Sequence, residues 1–176
     1  MMAVGEGAPI EDPATGLFSE AFLRAVLPTR IATARRSLKQ LGLVLVQVDS
    51  ADGRHLHEAG ATPLPSNDPS TSEVDLGALG LAVHRALRDS DIAAGLDDDR
   101  FAMLLEFTPV EGCVVVAQRF IDLLDKEQPS LVATAGVACY PAHAIDASEL
   151  FAASTRALQD ARSRGPRTIV VAPVAD

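Results

Sequence analysis

Two apolar segments separated by a short acidic turn constrain the fold of this chain more than any other feature. Residues 92–96 (IAAGL) and residues 101–107 (FAMLLEF) flank the turn, which consists of Asp97, Asp98, Asp99 and Arg100. Apolar runs joined by so short a polar turn predict a β-hairpin. Aspartate suits such a turn because it tolerates left-handed backbone conformations better than most residues. On its own, the pattern indicates a hairpin with a solvated acidic tip.

The segments around the hairpin predict further strands and helices. Helices are predicted over residues 18–39, 72–87, 110–126 and 147–164, and strands over residues 41–48, 131–140 and 168–172. Pro28 is expected to kink or divide the first helix, and Gly136 is expected to let another backbone approach its strand closely. This order predicts an α+β fold, with a central mixed, mainly antiparallel sheet of about five strands flanked by helices.

The length of 176 residues indicates one domain with a sizeable core. We assign residues 1–11 to a flexible leader and residues 12–176 to the single domain, whose first helix is predicted over residues 18–39. Residues 49–72 are rich in Gly, Pro, Ser, Asn and Asp and are predicted to form a variable loop. A loop of that length inside a compact domain is either functional or the remnant of a lost element.

Charge and composition exclude several classes of function. The formal net charge of −9 argues against nucleic acid and anionic membrane as partners, because both require clustered cations. The N-terminus carries neither a basic segment nor a long apolar stretch, so no signal peptide or membrane anchor is expected. Cys113 and Cys139 show no metal-type spacing, and two reduced core thiols indicate a cytoplasmic protein.

Several segments resemble, in order and spacing, the GGDEF domain of bacterial diguanylate cyclases. They are residues 12–17 (DPATGL), the approach to the hairpin over 91–101, residues 134–138 (TAGVA) and residues 156–165 (RALQDARSRG). The resemblance extends over nearly everything from residue 12 to residue 171. It implies a palm-like fold with a central sheet wrapped by helices, in agreement with the fold class predicted from the segment order.

The signature turn departs from the family pattern. The family has Gly-Gly-Asp-Glu-Phe where this chain has Asp97, Asp98, Asp99, Arg100 and Phe101. The family's glycines let a GTP triphosphate approach the turn backbone, because no side chain intrudes there. Asp97 and Asp98 place carboxylates beside that position, and like unit charges ~4 Å apart repel by about 4 kcal/mol at an effective dielectric constant of ~20.

The family's metal and phosphate positions are also altered. The metal-binding aspartate at the end of the first long strand falls on Gln47, a poor ligand for a hard divalent cation. Asp99 keeps the second metal carboxylate, but Arg100 puts a cation beside it. Arg162 replaces a phosphate-facing lysine, whereas Pro166 stands where a second cation is expected. The resemblance therefore implies a pseudo-enzyme without cyclase activity, metal site or cofactor.

A second family site is retained. Many relatives carry an inhibitory site for their product, cyclic di-GMP, with the motif Arg-x-x-Asp at a fixed distance before the signature turn. Arg88 and Asp91 occupy that spacing, and Arg119 matches the arginine contributed by the helix after the hairpin. A guanidinium can bond O6 and N7 of guanine, and a carboxylate can accept from its N1–H and N2–H₂ edge. Arg85, one helical turn before Arg88, is expected to attract phosphate.

Three interpretations remain open. In the first, the domain is a cyclic di-GMP receptor that uses Arg88, Asp91 and Arg119, forms a ligand-linked homodimer and changes an interaction with a protein partner. In the second, it is a nucleotide-independent scaffold for protein–protein interaction, and Arg88 and Asp91 form only a surface ion pair worth about 0–1 kcal/mol. The third, an active GTP-using enzyme, is disfavoured by the altered signature turn.

Overall fold

The computed structural model describes residues 10–52, 76–96 and 99–174. The strands are β1 (Phe18–Ser19), β2 (Leu41–Ser50), β3 (Ile92–Gly95), β4 (Arg100–Glu106), β5 (Leu131–Tyr140) and β6 (Ile169–Val171). The helices are α1 (Glu20–Ser37), α2 (Leu76–Ala86), α3 (Val110–Glu127) and α4 (Ala147–Arg164).

The strands form one mixed sheet in the order β1-β3-β4-β2-β5-β6. The predicted hairpin is confirmed, because β3 and β4 pair antiparallel with Gly95 opposite Phe101. The central strand β2 pairs antiparallel with both β4 and β5, whereas β1 and β6 add to the two edges in parallel. The predicted α+β class is confirmed. The strand beyond the predicted five is β1, whose two residues are too few to give a sequence pattern.

Each face of the sheet carries its own apolar core. One core packs α2 and α3 against β2, β4 and β5, and the other packs α1 and α4 against the opposite face. Residues 41–48 of β2 are buried without alternation, which explains their continuous apolar sequence. Gly136 of β5 confirms the predicted close approach, because a Cβ built there lies 2.1 Å from the backbone nitrogen of Leu158 in α4.

The helix ends follow local chemistry. Ser19 caps α1 by accepting a hydrogen bond from the Phe22 N–H at 3.2 Å, so the helix begins two residues after its predicted start. Pro28 lies inside α1 without dividing it. Asp146 caps α4 by accepting a hydrogen bond from the Glu149 N–H at 2.8 Å.

The predicted leader over residues 1–11 and the predicted variable loop over residues 49–72 each have regular structure at the end nearest the domain. The Ser19 N–H donates to the Ile10 carbonyl at 2.7 Å, and Glu11 forms a β-bridge with Phe18. Strand β2 continues through Ser50, two residues into the segment predicted as the variable loop. Residues 1–9 and residues 53–75, which include most of that loop and the predicted start of the second helix, lie outside the described residues. No helix in the described part is long and apolar enough to cross a membrane.

The two cysteines are buried thiols that are not joined in a disulfide, as predicted. The Sγ atoms of Cys113 in α3 and Cys139 in β5 lie 3.5 Å apart. The hydrogen bond with Cys139, together with burial, raises the pKa of the Cys113 thiol. Both thiols therefore act as small apolar groups that fill the space beside Gly42, where a Cβ would lie 2.0 Å from the Cys113 sulfur.

His143 makes the stability of the fold depend on pH. Its Nδ1 accepts a hydrogen bond from the Cys139 backbone N–H at 2.9 Å, and burial lowers the pKa of the imidazole. The unfolded chain therefore takes up a proton at higher pH than the folded chain does. The free energy of unfolding should be constant above the ordinary histidine pKa of about 6.5 and should fall as the pH drops below it.

Urea denaturation between pH 5 and pH 8 measures this dependence. His143→Gln should flatten the slope below pH 6.5. An unchanged slope in His143→Gln would assign the dependence to other groups.

Candidate functional site

The turn between α2 and β3 is closed by the two residues of the predicted binding motif. The Asp91 N–H donates to the Arg88 carbonyl at 3.0 Å, and the Arg88 N–H donates to Asp91 Oδ2 at 3.0 Å. The other carboxylate oxygen, Oδ1, accepts from the Glu106 N–H at the end of β4 at 3.2 Å. Asp91 therefore ties this turn to the hairpin and holds its carboxylate in a fixed orientation.

The side chain of Arg88 is exposed and does not form the surface ion pair with Asp91 that the scaffold interpretation predicts. Within residues 10–52, 76–96 and 99–174, no hydrogen bond or ion pair is made by its guanidinium. Asp91 contacts the backbone of Arg88 instead of its side chain. The five N–H donors of Arg88 are thus available to a ligand.

Arg119 reaches the same turn from the middle of α3. Its Nη1 donates to the carbonyl of Ala86, the last residue of α2, at 3.4 Å. A cation is favourable there because the last carbonyls of a helix carry partial negative charge. The structure therefore brings Arg88, Asp91 and Arg119 together around the C-terminal end of α2.

Arg85, which is predicted to attract phosphate, contacts an acidic side chain in the structure. Its guanidinium forms an ion pair and hydrogen bond with Glu127 at the end of α3, and neither side chain is buried. The adjacent carboxylate offsets the positive charge that was expected to attract phosphate. The ion pair between Arg85 and Glu127 connects the end of α2 to the end of α3.

A groove of about 420 Å³ lies along α3 next to Arg119. The groove is lined by two apolar side chains, Val115 and Leu123. It is also lined by the polar side chains of Gln118, Asp122 and Lys126. Its volume falls within the range of about 300–1,000 Å³ that is usual for small-molecule sites. The guanidinium of Arg119 thus borders both the turn and an open space large enough for part of a ligand.

The signature turn is described from Asp99 onward, and Asp97 and Asp98 lie outside the described residues. Asp99 adopts a left-handed φ of 58°, and its carbonyl accepts from the Val48 N–H at 3.1 Å. Its Oδ2 is buried and has no hydrogen-bond partner among the described residues. Phe101 belongs to the core, where its ring meets that of Phe120 edge-on at 5.0 Å.

Gln47 lies opposite Arg100 in the pairing of β2 with β4. The amide is buried, and its Nε2 donates to the Val48 carbonyl at 3.3 Å and lies 3.5 Å from Asp49 Oδ1. In the described part of the chain, no group of three or more His, Cys, Asp or Glu side chains could hold a metal ion. An amide donor and a guanidinium beside Asp99 do not fit a divalent cation.

A smaller cavity of about 220 Å³ lies at the end of β2, the start of β5 and the end of α4. Asp49 and Arg162 contribute opposite charges to its wall, and Gly165 and Pro166 complete one side. Arg162 of α4 thus lies near the end of β2. Pro166 brings no positive charge to this cavity.

Sequence reasoning missed two residues beside Asp91. Glu106 donates its N–H to Asp91 and pairs its carboxylate with Arg30 of α1. Phe107 follows it with a left-handed φ of 48° and is 51% exposed. The only local signal was the Thr108-Pro109 pair that ends the strand, and it indicates a turn without indicating what the turn presents.

Comparison with known proteins identifies the family. The family described as "Diguanylate cyclase, GGDEF domain" matches residues 72–168. No curated protein sequence matches the chain.

Solved structures of similar fold come from several bacterial proteins. The GGDEF domain of YfiN (TpbB) from Pseudomonas aeruginosa is 22% identical, with a TM-score of 0.75 over 92% of this chain and 99% of that one. The diguanylate cyclase SiaD from the same organism, in complex with its activator SiaC, is 23% identical, with a TM-score of 0.75 over 94% of this chain and 62% of that one. The GGDEF domain of DgcB from Caulobacter crescentus, in complex with c-di-GMP, is 14% identical, with a TM-score of 0.71 over 93% of this chain and 96% of that one.

The structural matches show a shared fold, and the family match covers more than half of the 176 residues. The hairpin that carries the signature turn and the α2–β3 turn that carries Arg88 and Asp91 both lie inside the matched segment. The chain belongs to the diguanylate cyclase GGDEF domain family.

Proposed function

We propose that this protein is a catalytically inactive GGDEF domain that acts as a cyclic di-GMP receptor through Arg88, Asp91 and Arg119. The observation that carries the proposal is that the exposed side chain of Arg88 has no partner among the described residues, whereas Arg119 contacts the carbonyl of Ala86, two residues earlier in the chain. The binding of c-di-GMP by the GGDEF domain of DgcB, which has the same fold, supports this choice of ligand.

The geometry suits a guanine base bound edge-on. Arg88 offers a planar fork of donors to the O6 and N7 acceptors of guanine. Each Asp91 oxygen accepts one backbone N–H, which leaves further lone pairs to accept from the N1–H and N2–H₂ groups. Arg119, one helix away, is positioned for the phosphates or the second base. The net charge of −9 opposes a dianionic ligand at long range, so affinity rests on these short contacts.

Binding should stabilise the folded protein by mass action. We expect the melting temperature to rise saturably with cyclic di-GMP, with a stabilisation of about 2.7 kcal/mol at a concentration about 100 times the Kd. GTP with Mg²⁺ at equal concentration serves as the control and should leave the melting temperature unchanged. A flat response to cyclic di-GMP would refute the receptor.

The altered signature turn is the basis for proposing that the domain is inactive. The sequence places two aspartates where the family has glycines, and Gln47 and Arg100 face each other across the strands that would flank a metal. Extra carboxylates repel a triphosphate, and the amide of Gln47 is a poor ligand for a hard cation.

We therefore expect no pyrophosphate release and no cyclic dinucleotide when the protein is incubated with GTP and Mg²⁺. Product formation above the background set by heat-denatured protein would count against inactivity. If that activity also disappeared in Asp99→Ala, the domain would be an active cyclase.

We propose a cytoplasmic protein partner whose contact depends on ligand, with a ligand-linked homodimer as one form of the bound state. The activator-bound structure of SiaD shows that a diguanylate cyclase can engage a separate protein. The nucleotide-independent scaffold is favoured by one observation, namely that Asp91 already has a structural role in closing its turn.

A further inference from the structure

An exposed aromatic side chain lies directly beside the turn that carries Arg88 and Asp91. Asp91 Oδ1 accepts a hydrogen bond from the N–H of Glu106, and Phe107 is the next residue. Phe107 is 51% exposed and belongs to neither of the two apolar cores. Core packing therefore gives no reason for an aromatic residue at this position.

The backbone of Phe107 is strained. Its φ of 48° lies in the left-handed region. Large side chains rarely adopt this conformation, and Gly or Asn is the usual choice. Residues held in such conformations concentrate at ligand-binding sites, where the surrounding structure enforces them. A bulky, exposed residue at a position that favours glycine therefore points to a role in binding.

The neighbours of Phe107 hold it in place from both sides. The carboxylate of Glu106 forms an ion pair with Arg30 of α1. The backbone carbonyl of Glu106 accepts a hydrogen bond from the Thr108 hydroxyl at 2.8 Å. Thr108 is buried, and the first turn of α3 begins with the Cys113 N–H donating to the Pro109 carbonyl at 3.0 Å. The ring is thus presented to solvent by a fixed backbone and loses little freedom on binding.

We propose that Phe107 is the stacking surface for a purine base whose edge is bound by Arg88 and Asp91. This inference rests on the proposed function and deepens it, because it assigns a residue that contacts the face of the base in addition to those that contact its edge. Nucleobases stack on exposed aromatic rings in single-stranded nucleic-acid sites, and each such contact contributes substantially to affinity. Phe107 thereby favours anionic ligands that carry a planar base over other anions that two arginines would attract.

Calorimetric titration of three proteins with cyclic di-GMP tests the proposal. Phe107→Ala should bind about 10-fold more weakly than wild type, the loss that one base–aromatic contact predicts. Phe107→Gly should show the same loss and an equal or higher melting temperature, because glycine adopts the left-handed conformation freely. This second variant separates lost stacking from lost folding.

Fluorescence supplies an independent test, because the chain contains no tryptophan. Cyclic di-GMP should quench Phe107→Trp saturably, with a midpoint at the calorimetric Kd. Ile145→Trp, at a residue that is 61% exposed and follows β5, serves as the control and should not respond. Wild-type affinity in Phe107→Ala, or an unquenched Phe107→Trp that still binds, would overturn the stacking role alone. Absence of binding by the wild-type protein would overturn the proposed function together with it.

Discussion

Replacing Arg88 by alanine should weaken cyclic di-GMP binding by about 10- to 100-fold, which corresponds to about 1.4–2.8 kcal/mol of binding free energy. The bidentate pair of hydrogen bonds to guanine is lost, and one such pair is worth about 1–3 kcal/mol. The melting temperature of the free protein should stay unchanged, because the guanidinium is exposed and only the Arg88 backbone closes the turn with Asp91. Calorimetry and thermal denaturation of the variant measure the two quantities.

Arg36→Ala is the matched control for this loss. Arg36 is an exposed arginine in the last turn of α1, which packs on the face of the sheet opposite α2 and α3. The variant changes the net charge by the same amount and should bind like wild type. Equal losses in both variants would mean that only long-range charge attracts the ligand. Undiminished binding by Arg88→Ala would refute the assigned site.

Replacing Gly136 by alanine should destabilise the fold by about 3 kcal/mol or more, because the added methyl group has no space. The new Cβ would lie 2.1 Å from the backbone nitrogen of Leu158 and 2.5 Å from the Ser154 carbonyl oxygen. Both contacts are with the backbone of α4, so no side-chain rotation relieves them. For a chain of this length we expect a fall in melting temperature of about 10 °C.

Gly95→Ala provides the comparison at another strand position. A Cβ at Gly95 meets nothing within 4 Å, so the melting temperature should change by little. A Gly136→Ala variant as stable as Gly95→Ala would show that α4 does not press closely on β5. Lower stability of both variants would instead point to a general intolerance of alanine at strand glycines.

Elements with a strong local signal could be predicted from the sequence. The hairpin and the strand over residues 41–48 depend on residues near one another in the chain, and both are confirmed. The close contact at Gly136 was predicted because a glycine weakens a strand interior unless a neighbouring backbone occupies the space that a side chain would fill.

Features made by long-range contacts could not be predicted in the same way. Strand β1 exists only through its parallel pairing with β3. The pairing of Arg85 with Glu127 joins residues 42 positions apart, and no local sequence pattern indicates it. The conformation of Phe107 depends on the anchoring of Glu106 and Thr108, and the identity of the residue gives no hint of a left-handed φ.

Isothermal titration of the protein with cyclic di-GMP, in parallel with GTP and Mg²⁺, tests the receptor most directly. We predict saturable binding of cyclic di-GMP, weaker in Arg88→Ala and in Arg119→Ala, and no binding of GTP. No heat from cyclic di-GMP at any accessible concentration would contradict the receptor. The turn at Arg88 and Asp91 would then be purely structural, and the domain a scaffold that binds protein without nucleotide.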